Sequence, residues 1–76
     1  MREVVLYTRA GCSLCTQAKD VLLQAQRETP FALREVDIGS SGPLWEEHRY
    51  DIPVIAIDGV EAFRHRVTLR ALKERL

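Results

Sequence analysis

Residues 4–15 read VVLYTRAGCSLC, and this stretch decides the fold. The segment Val4–Thr8 is mostly apolar on both alternating faces, which predicts a strand covered on both sides in the middle of a sheet. Ala10 and Gly11 interrupt this pattern, and from Leu14 onward apolar residues recur at helical spacing. The stretch therefore predicts a strand, a short loop and a helix, with two cysteines at the start of the helix.

The middle of the chain continues the alternation of strands and helices. The first helix is expected to end before Pro30, because proline disfavours helical geometry in the residue before it. Phe31–Ile38 is predicted as a second strand. Ser40–Pro43 supplies turn residues, an N-cap and a first-turn proline for a short helix over Leu44–Arg49. Since a helix joins the first two strands, we expect them to be parallel.

The last part of the chain predicts a hairpin and a final helix. Val54–Ile57 is another doubly apolar run, and Asp58–Gly59 behind it is a strong hairpin signal. Val60–His65 is therefore expected to be an antiparallel edge strand. Thr68 can cap a last helix over Leu69–Leu76. The prediction is an α/β fold with a four-stranded mixed sheet in the order β-α-β-α-β-β-α.

Length and composition fit a single domain over residues 1–76, with 46% apolar and 29% charged residues. Eleven basic and eleven acidic side chains cancel, which argues against nucleic acid or an anionic membrane as a partner. No apolar run approaches the ~18 residues of a membrane span. We expect a cytoplasmic monomer, in which the basic excess between Arg64 and Arg75 is a solvated helix face and Trp45 and Tyr50 are packing residues.

The two cysteines carry the candidate chemistry. Free N–H groups and the positive end of the dipole at a helix N-terminus favour a thiolate, and cysteines at such sites can have a pKa lowered from about 8.5 to roughly 3.5–7.5. Cys12 is therefore the candidate nucleophile. Cys15, one turn further and more buried, can resolve a mixed disulfide formed on Cys12. Arg9, just upstream, can add positive charge near the thiolate or meet a substrate carboxylate.

The CxxC spacing also occurs in metal sites. Structural zinc normally requires four ligands, whereas this chain has no second cysteine pair, and His48 and His65 lack finger spacing. No metal ligand is therefore assigned within one chain. Two alternatives to redox catalysis stay open: a metal-handling module in which two chains share their cysteines around zinc, copper or an iron–sulfur cluster, and a non-catalytic binding module with an idle cysteine pair.

Several stretches occur in the order that is typical of one family. The chain resembles glutaredoxins, especially the short glutaredoxin-like bacterial proteins, over nearly its whole length, through the segments Tyr7–Cys15, Val36–Ile38, Ile52–Val54 and Asp58–Gly59. The resemblance implies a thioredoxin-like fold. It also implies that Pro53 is cis and faces the cysteine pair, and that the backbone of Ile52 pairs with a bound thiol substrate.

By this resemblance the protein is a thiol–disulfide oxidoreductase that reduces protein or small-molecule disulfides, with Cys12 as nucleophile, Cys15 as resolving cysteine and Ile52–Pro53 as substrate platform. No cofactor is expected beyond the redox-active disulfide, and a reductase, another external dithiol or glutathione would supply the electrons. Arg64–Thr68 stands where glutathione-binding members carry Gly-Gly and an acidic pair. Glutathione binding of the usual kind is therefore not expected.

Overall fold

The computed structural model describes residues 1–76, the whole of the chain. The elements are β1 (Glu3–Thr8), α1 (Ser13–Glu28), β2 (Ala32–Asp37), α2 (Pro43–His48), β3 (Val54–Ile57), β4 (Val60–Arg64) and α3 (Leu69–Arg75). This order confirms the predicted β-α-β-α-β-β-α arrangement. The observed limits of the strands, of α2 and of α3 differ from the predicted ones by at most one residue.

The four strands form one mixed sheet in the order β2-β1-β3-β4. β1 runs parallel to β2 and antiparallel to β3, and β3 runs antiparallel to β4. The two doubly apolar segments of the sequence, β1 and β3, therefore form the inner strands. Every residue of β3 is buried, because an inner strand of a sheet that is covered on both faces has no side open to water.

The main core lies between one face of the sheet and the helices α1 and α3. It contains Val4, Leu6, Ala18, Leu22, Ala25, Phe31, Ile55, Ile57 and Leu72, all of them buried. Tyr7 points to the opposite face, because successive residues of a strand alternate in direction. Its ring stacks on His48 of α2 with 4.6 Å between the ring centroids. α2 therefore covers the second face of the sheet.

The turn between β3 and β4 also supports the start of β1. Asp58 and Gly59 both have positive φ, 50° and 83°, as a two-residue hairpin turn of type I′ requires. The Asp58 carboxylate accepts hydrogen bonds from the Glu3 N–H at 2.9 Å and from the Arg2 guanidinium at 2.8 Å. The Glu3 N–H, followed by Arg2, holds the pKa of Asp58 below its usual 3.8.

The N-cap of α2 is Gly42, which lies within the predicted turn Ser40–Pro43, has a φ of 96° and makes no side-chain hydrogen bond, and Pro43 occupies the first turn. One local prediction was wrong. Tyr50 is 77% exposed and is not a packing residue, because it lies in the turn between α2 and β3. Trp45 is half-buried, as a packing residue should be. None of the helices is long and apolar enough to cross a membrane.

Candidate functional site

The chain passes from β1 to the cysteine pair through a short loop. Gly11 has a φ of 80°, which side chains rarely adopt, and the Cys12 N–H donates a hydrogen bond to the Arg9 carbonyl at 3.3 Å. This turn ends the strand and begins α1. Cys12 has an extended backbone and is the N-cap of the helix, so the predicted location of this cysteine is confirmed.

The sulfur of Cys12 caps the helix. Its Sγ accepts a hydrogen bond from the Cys15 N–H at 3.2 Å, one of the N–H groups that a helix leaves without an internal partner. The first turn of α1 contains no acidic residue, so that no carboxylate neutralises the positive end of the helix dipole. Once the disulfide is reduced, this environment favours a negatively charged sulfur on Cys12.

Cys12 and Cys15 are joined as a disulfide, with their Cα atoms 5.2 Å apart. Their burial differs: Cys12 is half-buried, whereas only 2% of the surface of Cys15 is exposed. An external molecule can reach Cys12 but not Cys15. This asymmetry suits a pair in which one sulfur meets a substrate while the other acts from inside the protein.

The loop before β3 lies at the same end of the sheet as the cysteine loop. The Ile52–Pro53 peptide bond is cis, as the family resemblance implied, and Pro53 is fully buried. The antiparallel register pairs Tyr7 with Val54. Pro53 therefore lies beside the end of β1, from which the chain continues to the cysteines.

Only part of the Ile52 backbone is open to a substrate. Its N–H donates a hydrogen bond to the His48 carbonyl at 3.2 Å, whereas its own carbonyl accepts none. The carbonyl is therefore the group of Ile52 that a bound thiol compound can use without breaking a bond of the protein. The Arg9 side chain is exposed and takes part in no ion pair or hydrogen bond, so it stays a predicted contact for a substrate carboxylate.

A groove of about 150 Å³ lies beside the cysteine pair. Its walls come from the first turns of α1 and from the loop before α3, and its lining residues are Leu14, Gln17, Ala18, His65, Arg66, Val67 and Thr68. No local pattern in the sequence predicts this groove, and the basic C-terminal residues are expected from the sequence to form one solvated helix face. Arg64 in fact lies in β4 and Arg66 in the loop, so neither belongs to α3.

No three His, Cys, Asp or Glu side chains come together in a group that could hold a metal ion. A single chain thus offers only the two sulfurs, and no contact of the structure supports the metal-handling alternative.

The sheet order and the cysteine pair at the N-terminus of α1 define a protein of the thioredoxin fold. The chain is similar to the oxidised thioredoxin O2 of Arabidopsis thaliana over 100% of its own length and 75% of that chain, with a TM-score of 0.66 and 22% identity, a likeness that establishes the fold alone. Residues 3–76 match the model of the glutaredoxin-like domain (DUF836), and the chain belongs to this family. The family predicted from the sequence is thereby confirmed.

A curated relative agrees with this family, and a solved structure shares the fold. The chain is 34% identical over 71 residues to a glutaredoxin-like protein, the YDR286C homolog of Dictyostelium discoideum. That match covers 86% of this chain and 66% of the relative, so the chain spans just under two thirds of the relative's length. An X-ray structure of the target protein XcR50 from X. campestris has a TM-score of 0.81 and 25% identity, covering 95% of this chain and 92% of that one.

Proposed function

We propose that this protein is a thiol–disulfide oxidoreductase that reduces disulfides of proteins or small molecules through Cys12 and Cys15. The observation that carries the proposal is the position of the pair: Cys12 is the accessible N-cap of α1 and Cys15 is buried one turn further on. The glutaredoxin-like family and the thioredoxin fold support a thiol–disulfide redox role in general.

The proposed reaction has two exchange steps. The Cys12 thiolate attacks one sulfur of the substrate disulfide, so that a mixed disulfide forms and one substrate thiolate leaves. The Cys15 thiolate then attacks the Cys12 sulfur, which releases the second substrate thiolate and closes the Cys12–Cys15 disulfide. Two electrons pass from the protein to the substrate, and the two leaving thiolates take up protons. An external dithiol or glutathione returns the pair to the reduced state.

The surroundings of the pair support the same assignment of roles. The Cys15 N–H stabilises the attacking sulfur of Cys12, and the free carbonyl of Ile52 and the cis Pro53 lie at the same end of the sheet. We propose further that the protein acts as a monomer in the cytoplasm, where a Cys12–Cys15 disulfide would cycle during catalysis and not serve as a permanent cross-link. Sedimentation at the mass of one 8.7 kDa chain would test the monomer.

The direct test is an equilibrium titration of the purified protein across glutathione redox buffers, analysed by intact mass. We expect a reversible transition of about two mass units, which is the loss and gain of two hydrogens by a dithiol. The Cys15→Ser variant is the control and should show no such transition. If the wild-type protein forms no internal disulfide at any buffer potential, the proposal is wrong. Metal bound to the purified protein and lost in Cys12→Ala would then support the metal-handling alternative.

A further inference from the structure

We propose that the groove between α1 and the loop of residues 65–68 binds an acidic side chain of a protein substrate, next to the disulfide that Cys12 attacks. This inference rests on the proposed oxidoreductase function and adds a substrate class to it. The expected substrate is a protein disulfide with an aspartate or glutamate beside the reacting cysteine.

The groove lies next to the cysteine pair along α1. Leu14, one of its lining residues, stands between Cys12 and Cys15 in the chain. The opposite wall is attached to the cis-proline loop, because the His65 N–H donates hydrogen bonds to the Pro53 carbonyl at 2.8 Å and to the Asp51 carbonyl at 3.3 Å. A polypeptide whose disulfide lies against Cys12 therefore has its neighbouring residue within reach of the groove.

The groove carries the positive charge of Arg66, and no residue of the chain neutralises this charge. His65 and Arg66 line the groove, both are exposed, and neither side chain takes part in an ion pair or hydrogen bond. No aspartate or glutamate lines it.

Three neighbouring basic residues differ from Arg66, because each of them pairs with a carboxylate of the chain. Arg64 contacts both Glu61 and Asp51, Arg70 pairs with Glu74, and Lys73 pairs with Glu28, at distances between 2.6 and 3.7 Å. Arg66, unlike these three residues, has no carboxylate partner in the chain. An acidic residue from outside the chain would supply the missing partner.

The shape of the groove suits one short side chain with a charged end. Leu14, Ala18 and Val67 provide apolar lining and Gln17 and Thr68 provide polar groups, within about 150 Å³. An aspartate or glutamate has a short apolar stem and a carboxylate, so it matches both parts of this lining.

Hydrogen bonds fix the backbone of the loop that contains Arg66. The Arg66 N–H donates a hydrogen bond to the Arg64 carbonyl at 2.8 Å, and the Thr68 hydroxyl oxygen accepts one from the Ala71 N–H at 3.1 Å. Because these bonds hold the backbone of the loop on either side of Val67, little backbone order has to be gained when a substrate binds.

The test uses two peptide disulfides that are identical except for glutamate or glutamine beside the cysteine. We expect the wild-type protein to reduce the glutamate peptide with a kcat/KM about three-fold to five-fold higher, the size expected of an ion pair that stays partly in water. The preference should shrink as salt is added, since salt screens exposed charges. Arg66→Gln should abolish the preference, because it removes the charge that favours the glutamate peptide, and Arg66→Lys should retain most of it.

Arg34→Gln is the matched control, since Arg34 is another exposed arginine without an ion pair, but it lies on the edge strand β2. It should keep the full preference. The thiolate absorbance of the reduced protein should be the same in Arg66→Gln and in the wild type, which separates substrate binding from a change in Cys12 itself.

The outcomes distinguish a failure of the groove proposal from a failure of the proposed oxidoreductase function. If the wild type reduces both peptides equally fast, the groove proposal is wrong and the oxidoreductase function stands. If Arg66→Gln slows only the reduction of oxidised glutathione, the groove serves glutathione and the proposal is again wrong. If neither peptide is reduced at all, the proposed function fails, and the groove proposal fails with it.

Discussion

The backbone N–H of His65 donates a hydrogen bond to the carbonyl oxygen of Pro53 at 2.8 Å. This bond joins the loop before α3 to the loop before β3, two segments that each lie close to the cysteine pair. β3 is in turn paired with β1, which leads directly to Cys12. Cys12, the cis proline and the basic groove are therefore parts of one connected unit at a single end of the sheet.

Each cysteine has its own expected phenotype. Cys12→Ser should abolish disulfide reduction, because it removes the only sulfur that a substrate can reach. Cys15→Ser should instead accumulate a mixed disulfide on Cys12, since the resolving thiol is missing. Intact mass of each variant after incubation with a disulfide substrate measures both effects. Full activity of Cys12→Ser, or no adduct on Cys15→Ser, would contradict the proposed order of attack.

The two reduced thiols should differ in their reaction with iodoacetamide. Cys12 is half-buried and lies at the helix N-terminus, whereas Cys15 is 2% exposed. At about pH 6, where a free cysteine is almost wholly protonated, we expect Cys12 to be alkylated about tenfold faster than free cysteine. Peptide mapping should find Cys15 unmodified in the folded protein. The urea-unfolded protein is the control, and equal rates for the folded and unfolded chains would argue against an activated thiolate.

Stability should depend strongly on Leu22. Its side chain is fully buried among the core residues of the sheet and α3, whereas the adjacent Leu23 is 40% exposed. Leu22→Ala should lower the free energy of unfolding by about 2–5 kcal/mol, because it removes buried surface and leaves a cavity. Leu23→Ala should change it by no more than about 0.5 kcal/mol. Urea denaturation of both variants in the oxidised state compares them, and similar losses would contradict the observed packing of α1.

The hairpin turn should contribute stability that depends on pH. The pKa of Asp58 is lowered below 3.8 in the folded protein, chiefly by the Glu3 N–H and then by Arg2. Its contribution is therefore complete above the unfolded pKa and is lost as the pH falls through the folded pKa. Asp58→Asn should be less stable than the wild type at neutral pH, and the difference should shrink below about pH 4.

Urea unfolding midpoints at neutral pH and at about pH 3 measure this change. Asp20→Asn is the control, because the Asp20 carboxylate takes part in no ion pair or hydrogen bond. A gap between Asp58→Asn and the wild type that stays constant with pH would show that the effect of Asp58 is not electrostatic.

Most of the architecture could be predicted from local patterns. The doubly apolar runs at β1 and β3, the helical spacing after Leu14 and the Asp58–Gly59 turn each depend on neighbours within a few residues of the chain. Such signals survive in a single sequence because propensity, periodicity and turn geometry act over short distances. The same holds for the position of Cys12 at a helix N-terminus.

Features that depend on contacts between distant parts of the chain could not be predicted from the sequence. The exposure of Tyr50 follows from its place in the turn between α2 and β3, where its side chain faces away from the core. The basic C-terminal residues looked alike in the sequence. Their partners separate them, because Arg64 is neutralised by Asp51 from another segment while Arg66 has no carboxylate.

The sequence by itself determined the order of strands and helices, the family and the cysteine pair, because each of these is encoded in residues close together along the chain. Only the tertiary structure decided what surrounds that pair. Pro53, His65 and Leu14 are far apart in sequence, and they come together because β3 pairs with β1 and the loop before α3 bonds to the Pro53 carbonyl. The charge that a substrate meets is therefore a property of the fold and cannot be counted from the composition.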